Sequence, residues 1–266
     1  MNAYSKKEMI YEKGFLDNCL DATYIIHLEG NGRLQNIYNQ LNQFQPTKKI
    51  YIFFNKGYKN CNKNLHKNTP SYDLIDTYIN IFKDAKSQNY KHILILEDDF
   101  IFDEKILNIE NTNEICNFIQ NKDEEYIYLL GCVPFVQIPS ISYNRNVLLK
   151  MGTHSCIYTE KMREKILNTT QSIISDWDVY MNFNLKQYMF YEPLCYQLFP
   201  QTENRKEWFY VFIFSELRDI LFSFFKLHET FEYGYIFFYW LSYIFLILCV
   251  LVLVYIYFII KKRFIK

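Results

Sequence analysis

HILILEDDF, residues 92–100, runs four aliphatic side chains straight into three carboxylates. A short unbroken apolar run of this kind reads as a strand buried on both faces. Side chains alternate along a strand, so Glu97 and Asp99 point one way and Asp98 the other. Two carboxylates on one face at a strand's carboxyl end repel each other, and burying them unpaired is costly. Two readings follow. The triplet is either an acidic turn facing solvent or a cation site, because Mg2+ and Mn2+ prefer oxygen ligands and keep positions free for phosphate and water.

Three further runs read as strands: ATYIIHL (22–28), KKIYIFFN (48–55) and EYIYLLG (125–131). Helical patterns lie between them. RLQNIYNQLNQF places Leu34, Ile37, Leu41 and Phe44 on one face. Thr69 is placed to cap a helix whose first turn holds Pro70 and whose apolar side is Leu74, Ile75, Tyr78, Ile79 and Phe82. Alternating strands and helices imply an α/β fold, a mostly parallel sheet with helices on both faces. Such sheets bind ligands at the carboxyl ends of their strands, which is where the triplet falls.

Further along, residues 132–152 read as a loop broken by two prolines. THSCIYTEKMREKILNTT reads as a strand and then a helix capped by Thr159, and SDWDVYMNFNLKQ as a short helix with Ser175 or Asp176 near its start. YMFYEPLCYQLF (188–199) reads as a strand that Pro193 confines to an edge or kink.

Lys+Arg and Asp+Glu balance at 29 each, so no basic field exists to hold nucleic acid. The seven cysteines form no C-x-x-C pair, which argues against a zinc site or disulfide framework and favours a reducing compartment. The N-terminal stretch has no apolar core of signal-peptide length. Near the C-terminus no charge occurs between Glu232 and Lys261. A bilayer-spanning helix needs about 20 such residues. The expected organisation is an N-terminal segment (1–20), a globular domain (21–207), a juxtamembrane amphipathic helix (208–233), a transmembrane helix (234–260) and a basic tail (261–266).

The order of the pieces resembles glycosyltransferase family 25, the lipooligosaccharide and collagen galactosyltransferase group, and particularly its divergent giant-virus-like members. YIIHLEGNGRL is similar to that family's opening strand, with Leu28 and Arg33 matching and His27 standing where Asn is usual. LILEDDF resembles its Glu-Asp-Asp metal motif, SDWDVYM its acidic Asp-Trp segment, GTHSCIYTEKMREKIL its Gly-and-small-residue segment before a helix, and EPLCYQ its Pro-Leu-x-x-Gln strand. The resemblance spans about 22–208. It implies a GT-A-type (Rossmann-like) fold, a nucleotide-sugar donor such as a UDP-sugar, Mn2+ (or Mg2+), a glycan or protein acceptor, and inversion at the anomeric carbon.

On this reading Asp99 and Glu97 hold the metal, with Arg33, Asp98, His154 and Gln197 at the donor. Asp176, or Asp178 in second place, takes the proton of the acceptor hydroxyl, a role worth about 10²–10⁴-fold in rate. A helix cap is the competing role for Asp176, and core packing the competing role for Trp177. The departure at His27 keeps open a catalytically inactive domain acting as a membrane-tethered scaffold. A metal-dependent phosphoesterase ranks last, because no nucleophilic Asp-x-Asp with a downstream Lys is recognisable. The missing signal segment and unpaired cysteines place the domain on the cytosolic face; the basic tail argues for the luminal one.

Overall fold

A computed structural model describes residues 3–170, 173–198, 220, 223–225 and 233–264. Apart from a few positions, the amphipathic helix expected over 208–233 lies outside them.

The strands are β1 (Tyr4–Ile10), β2 (Ala22–Leu28), β3 (Lys49–Asn55), β4 (His92–Glu97), β5 (Phe100–Phe102), β6 (Ile127–Gln137), β7 (Asn144–Thr159), β8 (Gln187–Phe190) and β9 (Cys195–Gln197). Seven of them form one sheet in the order β1-β3-β2-β4-β7-β6-β8, and β5 pairs with β9. The mostly parallel layout is present: β2, β3, β4, β6 and β8 run one way, β1 and β7 the other. The helices are α1 (Leu34–Gln43), α2 (Pro70–Ser87), α3 (Ile109–Asn121), α4 (Glu160–Leu167), α5 (Trp177–Asn184) and α6 (Tyr233–Phe264).

Alternation along the central strands divides the core in two. Tyr24, Ile26, Ile93 and Ile95 face α2, α4 and α5 through Tyr78, Phe82, Met162 and Trp177. Ile25, Leu94 and Leu96 face α1 and α3 through Ile37, Leu41 and Ile115. Each such side chain, buried fully, stabilises the fold by about 1.5–3 kcal/mol. Thr69 caps α2 by accepting from the Tyr72 amide, and Pro70 occupies the first turn, as expected.

Three segments depart from the sequence expectation, one being 188–199, which forms two strands in different sheets, β8 and β9, rather than one. Residues 132–152 are no loop: they belong to a long hairpin of β6 and β7. Pro134 sits in β6 between register shifts at Val133 and Val136, which is how a strand accommodates a residue without an amide donor. The third is β1, a charged edge strand antiparallel to β3.

A disulfide joins Cys19 to Cys116, with the Cα atoms 5.0 Å apart and the two cysteines 97 positions apart in sequence. This corrects the expectation of unpaired cysteines; Cys61, Cys132, Cys156, Cys195 and Cys249 are free. Cross-linking so long a loop restricts the unfolded chain. Replacing Cys19 and Cys116 together by Ser is expected to cost about 2–4 kcal/mol, read as a lower denaturation midpoint that reductant reproduces in the native chain.

Candidate functional site

The carboxyl ends of β2 and β4 lie side by side, because Ile26 is in register with Glu97. β7 runs against β4 with Ser155 opposite Leu96, so Gly152, Thr153 and His154 arrive at the same edge. β9 brings Gln197 opposite Phe100. Six of the expected site residues, Arg33, Glu97, Asp98, Asp99, His154 and Gln197, therefore converge on one sheet edge.

The triplet divides its labour. Asp98 is anchored: its Oδ2 accepts from the Asn31 amide at 2.5 Å, His27 Nδ1 at 3.1 Å and the Leu28 backbone amide at 3.2 Å, while Oδ1 accepts from Arg33 at 2.7 Å. Burial pushes its carboxyl up, but the His27 and Asn31 hydrogen bonds and the Arg33 charge outweigh that and hold it below the usual carboxylate range. Asp98 thus ties the β2–α1 loop to β4. Glu97 accepts from Thr153 Oγ1 at 2.5 Å and Tyr78 OH at 3.1 Å. Asp99 is buried and accepts from Gln197 Nε2 at 3.2 and 3.3 Å, with Arg33 at 3.6 Å. Burial raises both the Glu97 and the Asp99 carboxyls. Asp99 is also pushed up by the Glu97 and Asp98 charges, and Glu97 by those of Asp178 and Asp98.

His154 lies in β7 rather than in a loop. Its Nε2 is 3.1 Å from the Cys195 carbonyl, which can only accept, so Nε2 carries the proton. Burial lowers its pKa to about 4, leaving the ring neutral. Nδ1 is then a bare lone pair, buried and without a hydrogen-bond partner among the described residues. Such a nitrogen accepts from a hydroxyl or ligates a cation; it offers no positive charge to a phosphate.

Gly131 makes this geometry possible. A β-carbon there would stand 1.7 Å from the Cys195 carbonyl oxygen and 2.7 Å from His154 Nε2. Gly131→Ala is expected to push β9 and His154 away and cost about 1–3 kcal/mol, the range for overpacking, checked by denaturant unfolding.

α5 flanks the edge. Asp176 is its N-cap, accepting from the Val179 amide at 2.9 Å, and burial raises its carboxyl. Asp178, half-buried, accepts from Lys150 Nζ at 2.6 Å. Lys150 is fully buried and also donates to the Gly152 carbonyl at 3.0 Å. The Asp178 charge acts on both Glu97 and His154, so it is the α5 carboxylate turned toward the edge. Trp177 packs in the core, stacked on Tyr78 at 4.6 Å and donating to Tyr158 OH.

Asn31, Tyr78, Thr153 and Lys150 were not singled out from sequence. Only Asn31 carried a signal, set between Gly30 and Gly32, whose positive φ values mark a tight loop after a strand.

Among the described residues no group of three or more His, Cys, Asp and Glu side chains comes together as a ready metal cage. The pair Glu97 and Asp99 instead fits an ion of the Mg2+ type, which takes one or two carboxylates and completes its shell with water and substrate phosphates. The Glu97 charge that pushes up the Asp99 carboxyl fits a cation there.

No family model matches the chain, and no curated protein matches it. Among solved structures it is similar to a mannose-1-phosphate geranyltransferase from Thermus thermophilus, at 8% identity and TM-score 0.38 over 64% of this chain and 72% of that one. It is similar also to a glycosyltransferase involved in glycosylating the major capsid of PBCV-1, at 11% identity and TM-score 0.37 over 70% of this chain and 99% of that one.

Proposed function

We propose that the chain is a metal-dependent glycosyltransferase that moves a hexose from a nucleotide-sugar donor, a UDP-sugar by the resemblance to family 25, to an acceptor hydroxyl with inversion. The observation that carries this reading is the set of carboxylates at the carboxyl edge of a parallel sheet, where Asp99 is buried, Glu97 half-buried, and the Glu97 charge raises the Asp99 carboxyl. Keeping a buried carboxylate beside a like charge makes sense where a cation neutralises them. When bound, Mn2+ or Mg2+ would be held by Asp99 and Glu97 and would offset the charge of the leaving diphosphate.

The chain's own groups supply the rest. Asp98 fixes the loop carrying Asn31 and Arg33, so the guanidinium sits 3.6 Å from Asp99 and beside the expected diphosphate. Gln197 orients Asp99, and His154 Nδ1 accepts from a sugar hydroxyl. In the transfer, the acceptor oxygen bonds the anomeric carbon as the sugar–phosphate bond breaks. The acceptor's proton passes to a carboxylate and the bonding pair leaves on the diphosphate oxygen. Asp178 fits the base better than Asp176, whose side chain is engaged as a cap.

The inactive-scaffold reading rested on His27. Its Nδ1 lies 3.1 Å from Asp98 and belongs to the anchor, so the departure leaves the edge assembled. Incubating the purified full chain with Mn2+ and a panel of nucleotide sugars tests the proposal. Release of the nucleoside diphosphate is expected with one donor. Binding of Mn2+ and nucleotide without turnover on any donor or acceptor favours the scaffold, and no binding at all removes the donor site.

α6 includes Gly234–Lys262, a stretch long and apolar enough to cross a membrane, and we take it as the anchor. The disulfide and the basic residues Lys261 and Lys262 at the end of that stretch favour a domain on the oxidising side, opposite to the face expected from the N-terminus. Protease digestion of sealed vesicles distinguishes the two: a luminal domain survives intact, a cytosolic one is cleaved.

A further inference from the structure

α6 does not begin as a free tail. Its first turns lie against β9 and along β6: Tyr235 meets Tyr196 of β9, Phe238 meets Phe135 with ring centroids 5.3 Å apart, and Ser242 Oγ accepts from the Gln137 amide at 3.1 Å. The Arg145 guanidinium of β7 stacks on Tyr239 at 4.1 Å. Contacts advance together along both elements, Phe135 with Phe238 and then Gln137 with Ser242, so helix and strand run the same way. β6 itself runs parallel to β4. The helix therefore leaves the domain on the hairpin-tip side, the edge where Glu97 ends β4.

Tyr235, Phe238 and Ser242 are buried against the domain, whereas Tyr243 to Phe245 and the rest of the helix are largely exposed. From residue 244 to Lys262 the helix rises about 28 Å at about 1.5 Å per residue, close to the ~30 Å hydrocarbon core of a bilayer. This puts the membrane boundary near Tyr243, level with the end of β6. Beyond that level the hairpin continues, and its turn carries exposed apolar side chains among its serines. Ile138, Ile141 and Tyr143 are exposed at its tip, with Ile141 fully bare, while Leu148 and Leu149 are exposed on the returning strand alongside the end of β6.

We infer that the tip of the β6–β7 hairpin rests in the interface of the lipid bilayer that α6 enters, as a second, monotopic contact that turns the site edge toward the membrane. The inference rests on reading α6 as a membrane span. What selects a bilayer as the occupant is continuity: the exposed apolar residues extend the docked seam of a helix whose length matches a membrane. The link to the site is short, since Met151 and Tyr196 pack in the same apolar cluster as Tyr235 and Phe238 while adjoining Gly152 and Gln197.

The test uses the full chain reconstituted in phosphatidylcholine vesicles with an environment-sensitive fluorophore at one cysteine. Three positions are labelled: Ile141→Cys in a Cys61→Ser, Cys249→Ser background; native Cys249 in a Cys61→Ser background; and Asp123→Cys in the double-serine background, at the opposite end of β6. The expected result is blue-shifted emission at 141, quenched by lipids spin-labelled near the headgroup. Residue 249 should be quenched by lipids labelled deep in the chain, and 123 should remain water-like. If 249 is quenched while 141 matches 123, the helix spans but the hairpin stands clear, and the inference is overturned alone. If 249 is also water-like, the membrane span and the inference fall together.

Discussion

Asp99→Asn is expected to make the metal-free protein more stable while abolishing metal-dependent nucleotide binding. Burial and the Glu97 charge raise the Asp99 carboxyl well above its ordinary range. Between the unfolded and the raised folded value, the folded chain holds a proton that the unfolded chain has released. Stability then falls as pH rises from the unfolded carboxylate's pKa, about 3.9, through the raised folded value. Asn keeps the shape, can still accept from Gln197, and carries no charge, so this slope flattens. A gain of about 0.5–2 kcal/mol at neutral pH is the range found when a strained functional group is relieved. Denaturant unfolding across pH reads the stability, and equilibrium binding of Mn2+ with UDP reads the function. A variant less stable than the native chain at every pH would mean Asp99 is an ordinary satisfied carboxylate.

The second large effect concerns α5. Asp178→Asn is expected to lower transfer by about 10²–10⁴-fold, the usual worth of a general base. It should also destabilise by about 3 kcal/mol, the low end for breaking a buried pair because Asp178 is partly exposed while Lys150 is not. These losses separate in a double variant. Lys150→Met with Asp178→Asn removes the stranded charge, so stability should recover while transfer stays low. Recovery of both would make the pair purely structural. Asp176→Asn is the control, since Asn caps a helix about as well as Asp. It should leave stability and transfer nearly unchanged, and a loss of transfer there would return the base to Asp176.

The contrast between Asp176 and Asp178 shows where sequence reading reached and where it stopped. β2, β3 and β4 were legible because strands buried on both faces read as unbroken apolar runs, and the acidic triplet at the end of one marked the sheet's carboxyl edge. β1, YSKKEMI, was not legible, because an edge strand facing solvent carries charges that blunt pairing with other chains. The β6–β7 hairpin was hidden by Pro134, which signals a break unless a bulge absorbs it. At the site, residue types were readable but commitments were not. Asp98 looks like its neighbours in sequence, and only the approach of His27, Asn31 and Arg33, from β2 and the loop after it more than sixty residues away, makes it an anchor. Lys150 sat in an apparent loop, where a lysine reads as solvated, and its full burial depends on α5 packing over β7.

The cation site is tested most directly by proton release. Titrating Mn2+ with UDP into the full chain at near-neutral pH, in two buffers of different ionisation enthalpy, counts protons displaced from the Glu97 and Asp99 pair. Net release in the native chain, lost together with binding in Asp99→Asn, is the expected result. Equal binding by both proteins, with no proton released by either, would contradict it.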